Sequence, residues 1–149
     1  LNFCFLGTFL ERFDYTIRML NVKYYKNHDN IYLNSNPELQ LELILRSISA
    51  YRSFMWKNQN MIDEKSISSF LIFDQSMPRS LIYCLKEIIN NLKSISSKKS
   101  HSLRKAKLIK KELFSIKILD GLSFHENLIR LIDLNTQLGK NIEDEFNFH

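Results

Sequence analysis

Glycine and proline are scarce: three glycines and two prolines in 149 residues. Glycine in a soluble domain usually runs at roughly seven per cent, so little is available here for phosphate-cradling loops, tight hairpins or hinged lids. That scarcity points to helices. Cysteine is scarce too. Cys4 and Cys84 both lie among apolar residues and far apart in the chain, which suits two buried free thiols in a reducing cytosol better than a disulfide framework or a metal site. A long apolar run is also missing. The charge-free opening from Leu1 to Leu10 is too short to cross a bilayer and lacks the basic start and small-residue cleavage site of a secretory signal. Alanine and valine are sparse while isoleucine, asparagine and lysine abound, a bias that fits an AT-rich genome and carries no mechanism.

What remains is ordinary globular material: 44% hydrophobic and 25% charged residues, with a length near that of one modal domain. The chain opens on Leu1 with a helical apolar period already running at Phe3, so it reads as a fragment of a longer protein. Leu6, Leu10, Phe13, Ile17, Leu20 and Tyr24 form the seam of a first helix ending near Tyr25. An asparagine-rich stretch from Lys26 to Pro37 interrupts it, and Asn36 before Pro37 signals a second helix, about 38–58. Leu41, Ile44, Ile48, Tyr51 and Met55 make its main stripe. Leu39, Leu43, Ala50 and Phe54 add a second flank, so this helix is expected to be central and covered on several sides.

Asp63 reads as the N-cap of a short third helix ending near Phe73. Pro78 suits the first position of a fourth, whose seam is Leu81, Leu85, Ile88, Leu92 and Ile95. Five serines between Ser94 and Ser102 suggest a solvated linker. A fifth helix, about 103–119, turns Ala106, Ile109, Leu113 and Ile116 inward. After a break at Asp120 and Gly121 a sixth follows, about 122–146. The expectation is an all-α bundle of about six helices in one domain.

Few residues are spaced for chemistry. His28, His101, His125 and His149 fall in no metal-ligand spacing, and a Glu three residues before a His on a helix, the ferritin-like signature, does not occur. Neither a cofactor nor a metal is expected. Neither cysteine has a neighbouring base, so nucleophilic catalysis is set aside. Nine of the 21 basic residues but one of the 16 acidic ones fall between Lys93 and Lys117. Arg104, Lys107 and Lys111 lie opposite the apolar stripe of the fifth helix, where they could grip an anion or nucleic acid. A solvated outer face is the favoured reading, because the aromatics that nucleic-acid binders interleave are reduced here to Phe114.

Glu11 and Arg12 diverge by about 100° on a helix and cannot simply pair. Glu11 shares a face with Tyr15 and Arg18, and Asp14 with Arg18 makes a favourable i,i+4 pair. Arg12 lies between Phe5, Phe9, Thr16 and Met19, so its guanidinium either snorkels or finds a partner on another element. A second constellation is Asp74 before Pro78-Arg79-Ser80. A carboxylate there could accept from free helix amides and hold Arg79, locking a corner.

The run FLGTFLERFDYTIRMLNVKYY resembles the alpha-E family, bacterial helical proteins named for a Glu-Arg motif. LILRSISAYRSF and FLIFDQSMPRSLIYCL are similar to two further segments of that family, and GLSFHENLIRLIDLNTQLGKNI resembles its last helix loosely. The matched positions are Glu11 and Arg12, then Arg46, Ser47, Ala50 and Tyr51, then Asp74, Pro78, Arg79 and Ser80. Gly7-Thr8 replaces a Gly-Arg feature of the family, and asparagines replace its proline-rich loop. The resemblance implies the C-terminal half of a protein about twice as long. It also implies an accessory, non-catalytic role beside an ATP-grasp-type ligase and a transglutaminase-like peptidase in peptide synthesis or modification. The alternative is an enzyme of peptide or amide chemistry, with Glu11, Arg12, Arg46 and Arg79 contacting carboxylates or other anions in a site that the missing half completes. No membrane association is expected, and apolar surface left by a missing half would favour self-association.

Overall fold

A computed structural model describes residues 1–26, 36–59, 62–118 and 121–146. The side chain of Tyr24, the asparagine-rich stretch 27–35, the break at Asp120, and His28 and His149 lie outside the described residues. Seven helices are described: α1 (Asn2–Lys26), α2 (Pro37–Ser47), α3 (Tyr51–Asn58), α4 (Glu64–Phe73), α5 (Leu81–Ile95), α6 (His101–Phe114) and α7 (Gly121–Phe146). There is no strand among the described residues, as the scarcity of glycine and the helical apolar periods led one to expect.

α1, α5, α6 and α7 form a closed ring in which α1 and α6 each pack against both α5 and α7. The apolar seams meet inside it: Phe13 and Ile17 from α1, Leu85 and Ile88 from α5, Ile109 from α6 and Leu138 from α7 are all fully buried. Each such side chain contributes roughly 1.5–3 kcal/mol by leaving water. α4 packs on the outside of α5, and α2 touches α1, α3 and α4 at one edge of the ring. No helix among the described residues is long and apolar enough to cross a membrane.

Two helix starts follow the caps visible in the sequence. Asn36 accepts from the Glu38 amide at 3.0 Å ahead of Pro37, and Asp63 accepts from the Ser66 amide at 2.9 Å. Elsewhere the backbone departs from the expected segments. The helix expected over 38–58 is two helices, because Ser49 takes the left-handed conformation with φ 57°. The Ser49 amide donates to Arg46 O at 3.0 Å and the Ala50 amide to Leu45 O at 2.7 Å, which is a Schellman stop with serine where glycine is usual. The break carries Ala50 and Phe54 into the core, while Leu39 and Leu43 stay about half exposed at 51% and 54%. α2 is therefore an edge helix rather than one covered on several sides.

α5 starts at Leu81, not at Pro78. Ser80 is its N-cap, accepting from the Tyr83 amide at 3.2 Å while its hydroxyl donates to Asp74 O, and Pro78 sits in the preceding turn. The serine linker contracts to 96–100, since α5 runs to Ile95 and Ser100 caps α6. α6 stops at Phe114 rather than near Leu119. The amides of Ser115 and Ile116 fold back to the carbonyls of Glu112 and Leu113 and close the last turn.

Candidate functional site

On α1 the residues that face the core are Leu6, Phe9, Phe13, Ile17 and Leu20. Beside that stripe the helical repeat brings Thr8, Glu11, Arg12, Tyr15 and Thr16 to one flank. Thr16 is fully buried, and its Oγ1 donates to the carbonyl of Arg79 at 2.8 Å, fastening α1 to the turn ahead of α5. On the other side the Schellman turn between α2 and α3 presents Ser47 and Ser49. Together Thr8, Glu11, Arg12, Tyr15, Thr16, Ser47, Ser49 and Arg79 line an open cleft of about 320 Å³.

Arg12 is half-buried, and its Cζ lies 5.3 Å from the centroid of the Phe9 ring. Such a cation–π contact contributes about 0.5–1 kcal/mol without neutralising the charge. Asp14, the nearest acid in sequence after Glu11, is engaged by Arg18 at 2.7 Å, as its spacing predicted. Among the described residues neither Arg12 nor Arg79 forms an ion pair. Cys84 is fully buried at the start of α5 and feels both positive charges. Burial nonetheless pushes its thiol up to about 12, with Arg12 and Arg79 pulling the other way. The Sγ is directed at the carbonyl of Pro78 at 3.6 Å. It is a protonated packing group at neutral pH. Cys4, expected to be buried, is exposed.

The structure brings together Glu11, Arg12, Ser47 and Arg79 from three separate segments, and leaves the other candidates outside the cleft. Arg46 bonds Glu42 at 2.7 Å and stacks on the Tyr51 ring, its Cζ 3.9 Å from the centroid, so both brace the α2–α3 corner. Asp74 does not hold Arg79. Its Oδ1 accepts from the amides of Ser76 and Met77, both at 2.9 Å, and its Oδ2 takes the Lys57 ammonium at 2.7 Å. The lysine sits one helix earlier and reaches the turn from outside, leaving the Arg79 guanidinium to the cleft. Pro78 lines a different hollow of about 350 Å³ with Trp56 and Met77. Ser80 is the buried cap described above.

Arg104, Lys107 and Lys111 are exposed on α6 and do not line the cleft, and Arg104 meets His101 Nδ1 at 3.0 Å. No group of His, Cys, Asp and Glu among the described residues could hold a metal ion. Sequence reasoning did not single out Thr8, Thr16 or Ser49. The available signal was Thr16, four residues after Arg12 on the same face; Ser49 lies off the apolar stripe, which continues through Ile48 and Tyr51.

The Alpha-E family, described as a predicted alpha-helical domain with a conserved ER motif, matches residues 1–146. This chain belongs to the Alpha-E family. Its one Glu-Arg dipeptide, Glu11-Arg12, lines the cleft. No curated protein and no solved structure matches the chain.

Proposed function

We propose that this Alpha-E chain is a non-catalytic accessory domain that engages protein partners through the cleft face. It is read as one domain, the C-terminal half of a longer cytoplasmic protein, working with an ATP-grasp-type ligase and a transglutaminase-like peptidase in peptide synthesis or modification. The observation that carries the reading is convergence. Glu11-Arg12, Ser47 and Arg79 come from three distant stretches of chain, and they meet on an open surface rather than in the core. Residues selected only for packing have no reason to gather there. A non-catalytic role is supported by Cys84, whose buried thiol stays protonated and is no nucleophile. The outward Leu39, Leu43 and Trp56 support self-association or a partner contact at the edge of the ring.

A nuclease-treated affinity purification of the intact parent protein from its own cells tests the proposal. A ligase or peptidase of these classes retained in stoichiometric amount, and lost when Arg12 and Arg79 are both replaced by glutamine, is the expected result. Recovery of the chain alone would sink the accessory role. It would favour the alternative in which the same guanidiniums hold a carboxylate substrate for amide chemistry.

A further inference from the structure

The cleft carries charge that the fold leaves uncompensated. Arg18, Arg46 and Arg130 each hold a carboxylate, at 2.7, 2.7 and 3.2 Å. Arg12 and Arg79 hold none among the described residues, although both are half-buried. A guanidinium that has lost part of its hydration recovers it from an acceptor, and its planar fork matches a carboxylate with two parallel bonds. Two guanidiniums against the single carboxylate of Glu11 leave one net positive charge, which suits a monoanion better than a dianion.

The hydroxyls narrow the chemistry further. Thr8 Oγ1 donates to Cys4 O at 2.9 Å and Ser47 Oγ to Leu43 O at 2.7 Å, so both have spent their protons on their own helices. What they offer the cleft is lone pairs, and Glu11 adds two carboxylate oxygens. Donors for a carboxylate thus stand beside acceptors for an N–H. A volume of about 320 Å³ lies at the small end of ligand sites and suits one or two residues of peptide.

We infer that the cleft binds the carboxylate end of a peptide or an N-acyl amino acid. Arg12 and Arg79 grip the carboxylate, while Glu11, Thr8 and Ser47 accept from the neighbouring amide N–H. The inference rests on the reading of this face as the functional one, and it names the chemistry that the face recognises.

The test is calorimetric titration of the full chain with N-acetyl-alanyl-alanine, its C-terminal amide, N-acetyl-alanine and inorganic phosphate. The acid is expected to bind, with the amide about tenfold weaker or more, as loss of a charge-assisted pair requires. Arg12→Gln and Arg79→Gln should each weaken the acid by a similar factor at unchanged melting temperature, and Arg79→Lys should recover part of the loss. Tighter binding of the dipeptide than of N-acetyl-alanine identifies a peptide end, and equal binding identifies a free N-acyl amino acid. Equal affinity for acid and amide, tighter binding of phosphate, or no binding at millimolar ligand would each overturn the inference. Should a glutamine variant fail to fold, the comparison of acid with amide on the unaltered chain decides alone. If a partner is retained but no carboxylate binds, this inference falls and the accessory role stands. Carboxylate binding without a partner has the opposite meaning.

Discussion

Replacing Asp74 by alanine removes the acceptor that organises the turn between α4 and α5. The Ser76 and Met77 amides lose Oδ1, and the Met77 amide is only partly open to water. Each lost bond from a turn amide to the side chain costs about 1 kcal/mol, and somewhat more where the donor is left buried and unpaired. Lys57 loses a partner at 2.7 Å, but its side chain is 42% exposed, so that pair adds a few tenths of a kcal/mol. The expected total is about 2 kcal/mol. For a chain of this length that lowers the melting temperature by roughly 4–8 °C. Asp74→Asn keeps an acceptor for the amides and loses only the charge, so it should cost about 0.5 kcal/mol.

Acidity supplies an internal control. Burial pushes the Asp74 carboxyl up, and the bonds from Lys57 and Ser76 together outweigh it and hold the group below its ordinary value. A depressed carboxyl stabilises the fold above its unfolded pKa of about 3.9, and that contribution is lost as pH falls through the lower folded value. The gap between wild type and Asp74→Ala should therefore be full at pH 7 and shrink below about pH 4. Thermal unfolding followed by circular dichroism at both pH values measures it. Equal melting temperatures at pH 7, or a gap no smaller in acid than at pH 7, would refute the reasoning. An unchanged melting temperature with lost partner binding would move Asp74 from the turn to the functional surface.

Ser49→Gly should raise stability by up to about 1 kcal/mol in urea titration, because glycine adopts the left-handed conformation without a Cβ penalty; a loss of stability would show that the Ser49 side chain matters to the corner. A maleimide added to native protein should modify the exposed Cys4 quickly and Cys84 only on unfolding, and mass spectrometry showing both labelled at once would contradict the burial. If the exposed face of α6 bound nucleic acid, the chain would be retained on a phosphate column with steep salt dependence. Weak retention, or retention unchanged in the Lys107→Gln, Lys111→Gln double variant, is the expected result for a solvated face.

The long helices were legible because their apolar residues keep a strict period, as in Phe13, Ile17 and Leu20 or Leu81, Leu85 and Ile88, and burial rewards that period directly. Caps at Asn36 and Asp63 were legible because the side chain and the amide it serves lie within three residues. The stop at Ser49 was not. Its determinant is a backbone conformation that serine advertises weakly, and the apolar stripe runs through it unbroken. Pro78 misled for a related reason, since a hydroxyl two residues later makes the better cap once Asp74 O is there to receive its proton. The cleft was legible as residues but not as a place. Glu11, Arg12, Ser47 and Arg79 were each visible, yet what brings Arg79 to the Glu11-Arg12 flank is the bond from Thr16 to Arg79 O across 63 positions of sequence, a distance no local pattern spans.

The closed ring implies an order of assembly. α5, α6 and α7 follow one another through short connections and pack in that same sequence, so their contacts close small loops. α1 touches α5 and α7 only across long stretches of chain, and the loop-closure entropy of those contacts must be met before they return any stability. The rate-limiting nucleus should therefore lie in α5–α7, with φ-values well above those of Phe13 and Ile17 in α1. Docking of α1 is then the late event, and with it the cleft, whose floor is α1 on one side and the Arg79 turn on the other. The recognition surface proposed above would exist only on completed molecules, so a partner that bound it would read folding status together with identity.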